Sequence, residues 1–126
     1  MTDKTNPVRI KANLNRVTAK RHGHLIAETN HALVVLEGDY PPVQYFPRDD
    51  VNMDLLVPTD RHTRCPHKGE ASYFSLQMDG ETVDNVVWTY EEPLPAVLAL
   101  KGYVAFYPDQ VEVEENTPAP RVYAPM

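Results

Sequence analysis

The sequence of 126 residues has one cysteine, Cys65, and only five glycines. A single cysteine cannot form an intramolecular disulfide or a Cys-x-x-Cys pair, which excludes zinc and redox sites built on paired cysteines. Five scattered glycines supply no glycine-rich phosphate loop, and this counts against nucleotidyl or phosphoryl transfer. A chain of this length forms one domain and can bury a core without a metal. We therefore expect neither a metal nor a cofactor.

Positive charge and long apolar runs are also scarce. Twelve Lys and Arg residues face eighteen Asp and Glu residues, so the formal net charge is −6. A general nucleic-acid binder needs a cationic surface to neutralise phosphates. No segment approaches the roughly 20 apolar residues of a membrane span, and the first residues lack the apolar run of a signal peptide. We expect a cytoplasmic protein that binds neither nucleic acid nor membranes.

Twelve prolines divide the chain into short pieces and disfavour long helices, because each removes a backbone donor. Between the prolines, apolar residues alternate or form short runs, a pattern typical of strands. The predicted strands are 17–20, 25–29, 33–37, 72–78, 86–90 and 103–107. The pattern predicts a mainly β fold: a compact antiparallel two-sheet sandwich, a barrel or a β-tent-like single domain. At most one or two short helical turns are expected, near residues 49–55 or 95–100.

Turn signals lie between these runs. Arg21–His24 predicts a hairpin, Asp79 and Gly80 predict a turn after the strand that ends near Met78, and Gly102 precedes the last long run. Segment 103–107 carries apolar bulk on both faces, which predicts an interior strand. We expect a polar N-terminal arm at 1–9, one β domain at 10–113 and a proline-rich tail at 114–126, both ends being mobile or wrapped around the domain.

The most basic stretch after the N-terminal arm is 61–68, Arg-His-Thr-Arg-Cys-Pro-His-Lys, which contains no acid. Gly69 follows, and a glycine there lets backbone amides approach an anion. The segment predicts a loop that binds a phosphate or a carboxylate. The alternative is that its cations are solvated and paired with the surrounding acids of an acidic protein.

Other side chains suggest chemistry and also have a structural explanation. Cys65 beside cations, with His67 two positions away, is a candidate nucleophile; the alternative is an inert, buried thiol. Asp50 is a candidate catalytic carboxylate, or it pairs with Arg48 or caps a helical turn. Aromatic residues beside a carboxylate at the end of strand 86–90 can stack on a planar ring and accept its hydrogen bonds, or they belong to the core.

Four segments together resemble a small bacterial family, the domain of unknown function 427. They are 45–51 (YFPRDDV), 63–73 (TRCPHKGEASY), 88–93 (WTYEEP) and 102–107 (GYVAFY). The resemblance runs from about Val17 to Val113. It implies a compact, mostly β domain of a tent-like kind, some relatives of which hold zinc through paired cysteines that this chain lacks. The family is sometimes labelled nucleotidyltransferase-like, a label that establishes no reaction.

The positions that match the family's polar signature come from three separate strands or loops. They are Arg48, Asp50, Thr63, Cys65, Lys68, Tyr73, Trp88, Tyr90 and Glu91. We hypothesise that they converge on one pocket, where Arg48 and Lys68 hold an anionic group, Trp88 or Tyr90 stacks on a ring, and Glu91 or Asp50 accepts hydrogen bonds.

Three classes of function stay open at this point. The first is a module that binds a small anionic metabolite or a nucleotide in a pocket formed by the basic segment 61–69 and the aromatic strand residues. The second is an enzyme, either a transferase or a cysteine-dependent hydrolase, that uses Cys65 or Asp50. The third is a structural or protein-interaction domain, for which a homodimer is plausible.

Overall fold

The computed structural model describes residues 7–116. The strands are β1 Val8–Asn13, β2 Arg16–Arg21, β3 His24–Thr29, β4 Ala32–Glu37, β5 Val43–Pro47, β6 Leu56–Cys65, β7 Gly69–Met78, β8 Glu81–Thr89, β9 Tyr103–Phe106 and β10 Glu112–Asn116. Helical structure is confined to 3₁₀ turns at Arg48–Asp50, Met53–Leu55 and Pro95–Leu100. The mainly β expectation is confirmed, and both regions predicted to hold helical turns contain them.

The strands form two antiparallel sheets. The larger has seven strands in the order β1-β4-β5-β9-β8-β7-β6, and the smaller has three in the order β10-β2-β3. Within the described residues β1 and β6 are the outermost strands of the larger sheet and do not pair with each other, so the sheet does not close into a barrel. Of the predicted architectures, the two-sheet arrangement is the one observed.

Both faces of the seven-stranded sheet are apolar because successive side chains alternate across it. On one face, Phe46 and Phe74 pack against Ile26 and other residues of the small sheet. On the opposite face, Tyr45 and Tyr73 pack in a second cluster that also holds residues of the Pro95–Leu100 turn. β9 lies in the middle of the sheet and is buried on both faces, which confirms the predicted interior strand.

The predicted hairpin turns are also confirmed. His22 and Gly23 have φ values of 51° and 81°, and Asp79 and Gly80 have 56° and 73°. Two consecutive residues at positive φ make the tight turn whose twist matches that of the flanking strands. These turns join β2 to β3 and β7 to β8.

Four strands have no counterpart in the sequence prediction: β1, β5, β6 and β10. β6 contains Pro58 and lies at a sheet edge, where a missing backbone donor is tolerated. The basic segment 61–68 is therefore not one loop, because residues 61–65 continue β6. β1 and β10 cross the expected domain boundaries at residues 10 and 113. Apart from Pro7, the remaining residues of the expected arm and tail lie outside the described range.

One predicted face of β8 is corrected. Simple alternation expects Val86, Trp88 and Tyr90 on one side. The register of β8 with β7 shifts between Phe74 and Leu76, and Asn85 takes a positive φ of 53°. This irregularity places Val86 in the core between the sheets, while Trp88 and Tyr90 lie in the cluster on the other face.

Candidate functional site

A pocket of 220 Å³ opens on the face of the seven-stranded sheet that turns away from the small sheet. Six of its lining residues are aromatic: Tyr40, Tyr45, Tyr73, Trp88, Tyr90 and Tyr107. Its two charged lining residues are Glu37 and Lys68. We refer to these eight residues as the aromatic pocket. It concentrates most of the chain's tyrosines and its single tryptophan in one place.

The pocket is built by a row of side chains across neighbouring strands. Tyr73 of β7 pairs with Trp88 of β8, and Trp88 pairs with Ala105 of β9. Beyond β9, Tyr45 of β5 continues the row, because its neighbour Phe46 pairs with Val104. Ala105 carries only a methyl group in the middle of this row. The large rings on either side can therefore lean across it.

The indole of Trp88 crosses that gap. Its Nε1 donates a hydrogen bond of 3.0 Å to the hydroxyl of Tyr45, and the two rings meet edge to face with centroids 6.2 Å apart. On its other side, Trp88 contacts the ring of Tyr107 at a centroid distance of 4.6 Å. Burial raises the pKa of Tyr45, so this phenol stays protonated across the physiological range. The result is a fixed aromatic wall.

The charged part of the pocket is an ion pair. Lys68 Nζ lies 2.5 Å from Glu37 Oε1, and Lys68 is only 9% exposed. The ammonium also lies 6.0 Å from the centroid of Tyr90. Glu37 ends β4, and Lys68 lies in the turn between β6 and β7. Two groups 31 positions apart in sequence are thus brought to the rim of the same aromatic wall.

The turn that carries Lys68 is held by its own backbone. The Lys68 N–H donates to the carbonyl of Cys65 at 3.3 Å, and its carbonyl accepts from the N–H of Leu94 at 3.0 Å. Gly69 has φ +114°, and a Cβ there would lie 3.3 Å from the carbonyl oxygen of Glu92. Gly69 therefore permits the turn to dock on segment 92–94. Its expected role in the close approach of a ligand stays a prediction.

Tyr73 links the pocket to the basic part of β6. Its hydroxyl hydrogen-bonds to Thr63 Oγ1 at 2.8 Å, and the Arg61 guanidinium lies 5.0 Å from its ring centroid. Burial raises the pKa of Tyr73, but hydrogen bonds with Thr63, Tyr107 and Arg61 outweigh it, so the pKa falls below its usual value near 10. Burial, followed by the hydrogen bond with Tyr73, raises the pKa of Tyr107 to about 12.

The expectation of a single converging pocket is corrected for Arg48, Asp50 and Glu91. Arg48 Nη2 donates to Glu91 Oε2 at 2.7 Å, and its guanidinium lies 5.6 Å from the centroid of Phe74. Phe74 follows Tyr73 and so points to the opposite face of the sheet. None of the three lines the aromatic pocket. Arg48 instead contacts a ring of the core between the two sheets, and Glu91 pairs with it at an exposed position.

The two candidate catalytic residues also lie outside the lining of the pocket. Asp50 accepts a hydrogen bond of 2.7 Å from the hydroxyl of Thr29, a contact that ties the Arg48–Asp50 turn to β3. Cys65 is a free, half-buried thiol that packs against the apolar cluster behind the pocket, opposite Gly69 in β7. Within residues 7–116 no group of three or more His, Cys, Asp or Glu side chains is placed to hold a metal ion.

Sequence reasoning missed Glu37, Tyr40, Tyr45 and Tyr107. A signal existed for Tyr107, which ends a predicted strand, and for Tyr45, which begins a segment with family resemblance. Glu37 carried no such signal, because an acid at the end of a predicted strand is normally a surface residue. Its pairing with Lys68 depends on how β4 and the turn after β6 are placed in the folded domain.

The fold and the pocket define the protein as a mainly β domain of two antiparallel sheets with an aromatic, ion-paired cavity on the outer face of the larger sheet. The family model NTP_transf_9, described as a domain of unknown function (DUF427), matches residues 9–117, and the chain belongs to this family. No curated protein matches the sequence. Among the described residues, no helix is long and apolar enough to cross a membrane.

Proposed function

We propose that the aromatic pocket binds a small anionic metabolite, with the Lys68 ammonium contacting the anionic group and the aromatic rings packing on the rest of the molecule. The observation that carries this proposal is a lysine only 9% exposed in the wall of a cavity that six aromatic residues line. Lysine is among the residues least often buried unless it is paired. A chain that buries one at the rim of a concave site bears a desolvation cost there.

The chemistry of the ammonium supports a ligand contact. A lysine has three N–H donors, and the bond to Glu37 uses one of them. Hydrogen bonds from a cation to a carboxylate or phosphate are shorter and about twice as strong as neutral ones. The surrounding rings limit the access of water and provide broad apolar faces, as in most small-molecule sites.

The size of the cavity indicates the size of the ligand. At 220 Å³ it is smaller than the roughly 300–1,000 Å³ typical of sites for drug-sized ligands. A small carboxylate or phosphate therefore fits the pocket better than a whole nucleotide. The enzymatic alternative receives no support from the geometry, because Cys65 and Asp50 do not line this cavity.

The test uses a built-in reporter, because Trp88 is the single tryptophan of the chain and lies in the pocket. Purified protein is screened against small carboxylates and phosphates by thermal shift and tryptophan fluorescence. A ligand that binds only the folded state adds about 2.7 kcal/mol at one hundred times its dissociation constant. We expect hits that Lys68→Gln loses, while Lys101→Gln, which removes an exposed lysine, keeps them.

Circular dichroism of both variants shows whether the domain still folds. The proposal fails if no carboxylate or phosphate changes the fluorescence of Trp88. It also fails if the folded Lys68→Gln protein binds the hits as tightly as the wild type.

A further inference from the structure

The charges inside the aromatic pocket add up to zero. Among the lining residues of the described chain, Lys68 supplies the positive charge and Glu37 the negative one. Their side chains are 11% and 21% exposed, so both ends of the ion pair are accessible from the cavity. Any ligand that contacts the ammonium of Lys68 therefore also meets the carboxylate of Glu37.

The carboxylate of Glu37 disfavours a ligand that carries only a negative charge. Glu37 Oε1 lies 2.5 Å from Lys68 Nζ, so an anionic group on the same ammonium comes close to a like charge. Such a contact is costly in a partly desolvated site, where Coulomb interactions are less screened than in water. A positive charge on the ligand would remove the penalty, because it would face Glu37 while the anion faces Lys68.

The aromatic walls favour the same positive charge. Ring faces of tryptophan and tyrosine attract a cation within about 6 Å of the centroid, and sites for ammonium ligands use several such rings. Here Trp88 and Tyr107 meet at 4.6 Å, and Tyr45 meets Trp88 edge to face. The pocket already holds one ammonium against a ring, since Lys68 Nζ lies 6.0 Å from the centroid of Tyr90.

We infer that the ligand of the aromatic pocket is a small amino-acid-like zwitterion, whose anionic group contacts Lys68 and whose ammonium lies between Glu37 and the aromatic rings. This inference rests on the proposed function and narrows its ligand class. It assigns Glu37 a role in selectivity beyond neutralising Lys68.

The experiment compares ligands that differ by one charge. L-phenylalanine, phenylpropionate and phenethylamine share a ring and differ in whether they carry both charges, the carboxylate alone or the ammonium alone. γ-Aminobutyrate, butyrate and butylamine form a matched series without a ring. Each is titrated into the wild-type protein at neutral pH, and its dissociation constant is read from the fluorescence of Trp88. We expect the zwitterion of at least one series to bind tenfold or more tightly than both of its single-charge analogues.

Glu37→Gln tests the assigned residue, because it keeps the shape of the side chain and removes its charge. We expect the preference for the zwitterion over the carboxylate to fall at least tenfold in this variant. Glu28→Gln is the matched control, since Glu28 belongs to an exposed ion pair with Arg16 on the small sheet. It should leave every dissociation constant unchanged. The ligand comparison uses wild-type protein alone and so remains decisive if Glu37→Gln does not fold.

The outcomes separate the two ideas. If phenylpropionate or butyrate binds as tightly as its zwitterion and Lys68→Gln abolishes this binding, the inference is overturned and the proposed function stands. A zwitterion preference that Glu37→Gln leaves intact also overturns the inference. If none of the six compounds binds, the zwitterion is again overturned, and the broader proposal is decided by its own panel of carboxylates and phosphates.

Discussion

The indole N–H of Trp88 donates a 3.0 Å hydrogen bond to the hydroxyl of Tyr45, across the whole width of the intervening strand β9. Tyr45 is 1% exposed, so its hydroxyl has little access to water. The bond is possible because Ala105 leaves the space between the two rings open. This contact sets the position of the ring that forms the centre of the aromatic pocket.

Tyr45→Phe is expected to destabilise the domain by about 1–2 kcal/mol, because it leaves the indole N–H of Trp88 without its partner. Urea unfolding followed by circular dichroism measures the change. The emission maximum of Trp88 should shift as well. Tyr103→Phe is the control, since the Tyr103 ring packs in the same cluster. Equal losses in the two variants would show that the hydrogen bond to Trp88 contributes nothing.

The linked phenols Tyr73 and Tyr107 are expected to ionise far apart in pH. Hydrogen bonds with Thr63, Tyr107 and Arg61 outweigh burial and lower the pKa of Tyr73 below 10, while burial and the bond with Tyr73 raise the pKa of Tyr107 to about 12. A spectrophotometric titration of the folded protein should show one phenol that ionises early. That early step should be absent from Tyr73→Phe and present in the matched Tyr103→Phe.

The raised pKa of Tyr107 also affects how the stability of the domain depends on alkaline pH. The folded pKa of Tyr107 lies above its usual value of 10, so the folded state holds this proton more tightly than the unfolded chain. Its contribution to stability is complete below pH 10 and is lost as the pH rises towards 12. Tyr107→Phe should therefore lose less stability than the wild type over this range, measured by urea unfolding at each pH. A steeper loss in the variant would contradict the assignment.

Gly69→Ala is expected to destabilise the domain more than Gly23→Ala. Both glycines have positive φ, +114° and +81°, where a side chain is strained. The strain of a left-handed residue is about 1–2 kcal/mol. At position 69 a Cβ would also lie 3.3 Å from the carbonyl of Glu92, whereas nothing lies within 4 Å at position 23. The difference between the two losses in unfolding free energy measures the added contacts with Glu92 and Leu94, and equal losses would show that segment 92–94 moves aside freely.

The sequence predicted those parts of the fold that depend on patterns within a single segment of the chain. Alternation and turn residues predicted β2, β3, β4, β7, β8 and β9 and two of the hairpins. They failed for β6, since Pro58 and the charges of 60–64 look like a loop and are tolerated only because the strand lies at an edge. The sequence also did not predict that Val86 and Trp88 lie on opposite faces of β8, because the register shift beside Asn85 arises from the pairing of β8 with β7.

For the candidate site, the sequence predicted some of the residues but not the partners that they contact. Lys68, Trp88 and Tyr90 were singled out by residue type and Tyr73 by the family resemblance, and the structure places all four in one pocket. Which partners they meet could not be derived, because the contact between Glu37 and Lys68 joins elements 31 residues apart. The sequence also did not predict that Arg48 and Lys68 lie apart. Their separation depends on the face of the sheet that each side chain contacts, at Phe74 for Arg48 and at Tyr90 for Lys68.

Arg48→Ala is expected to destabilise the domain without weakening any ligand of the aromatic pocket. Arg48 packs against Phe74, whose ring lies on the opposite face of the sheet, and it also donates to Glu91, so its loss removes packing as well as an ion pair. Glu91→Ala removes only the ion pair, whose partner side chains are 33% and 54% exposed. Exposed pairs contribute about 0–1 kcal/mol, so Arg48→Ala should cost more than Glu91→Ala. Urea unfolding measures both losses, and titrations of Trp88 fluorescence measure the affinities. A fall in ligand affinity in folded Arg48→Ala protein would show that Arg48 contributes to binding and would contradict its placement outside the aromatic pocket.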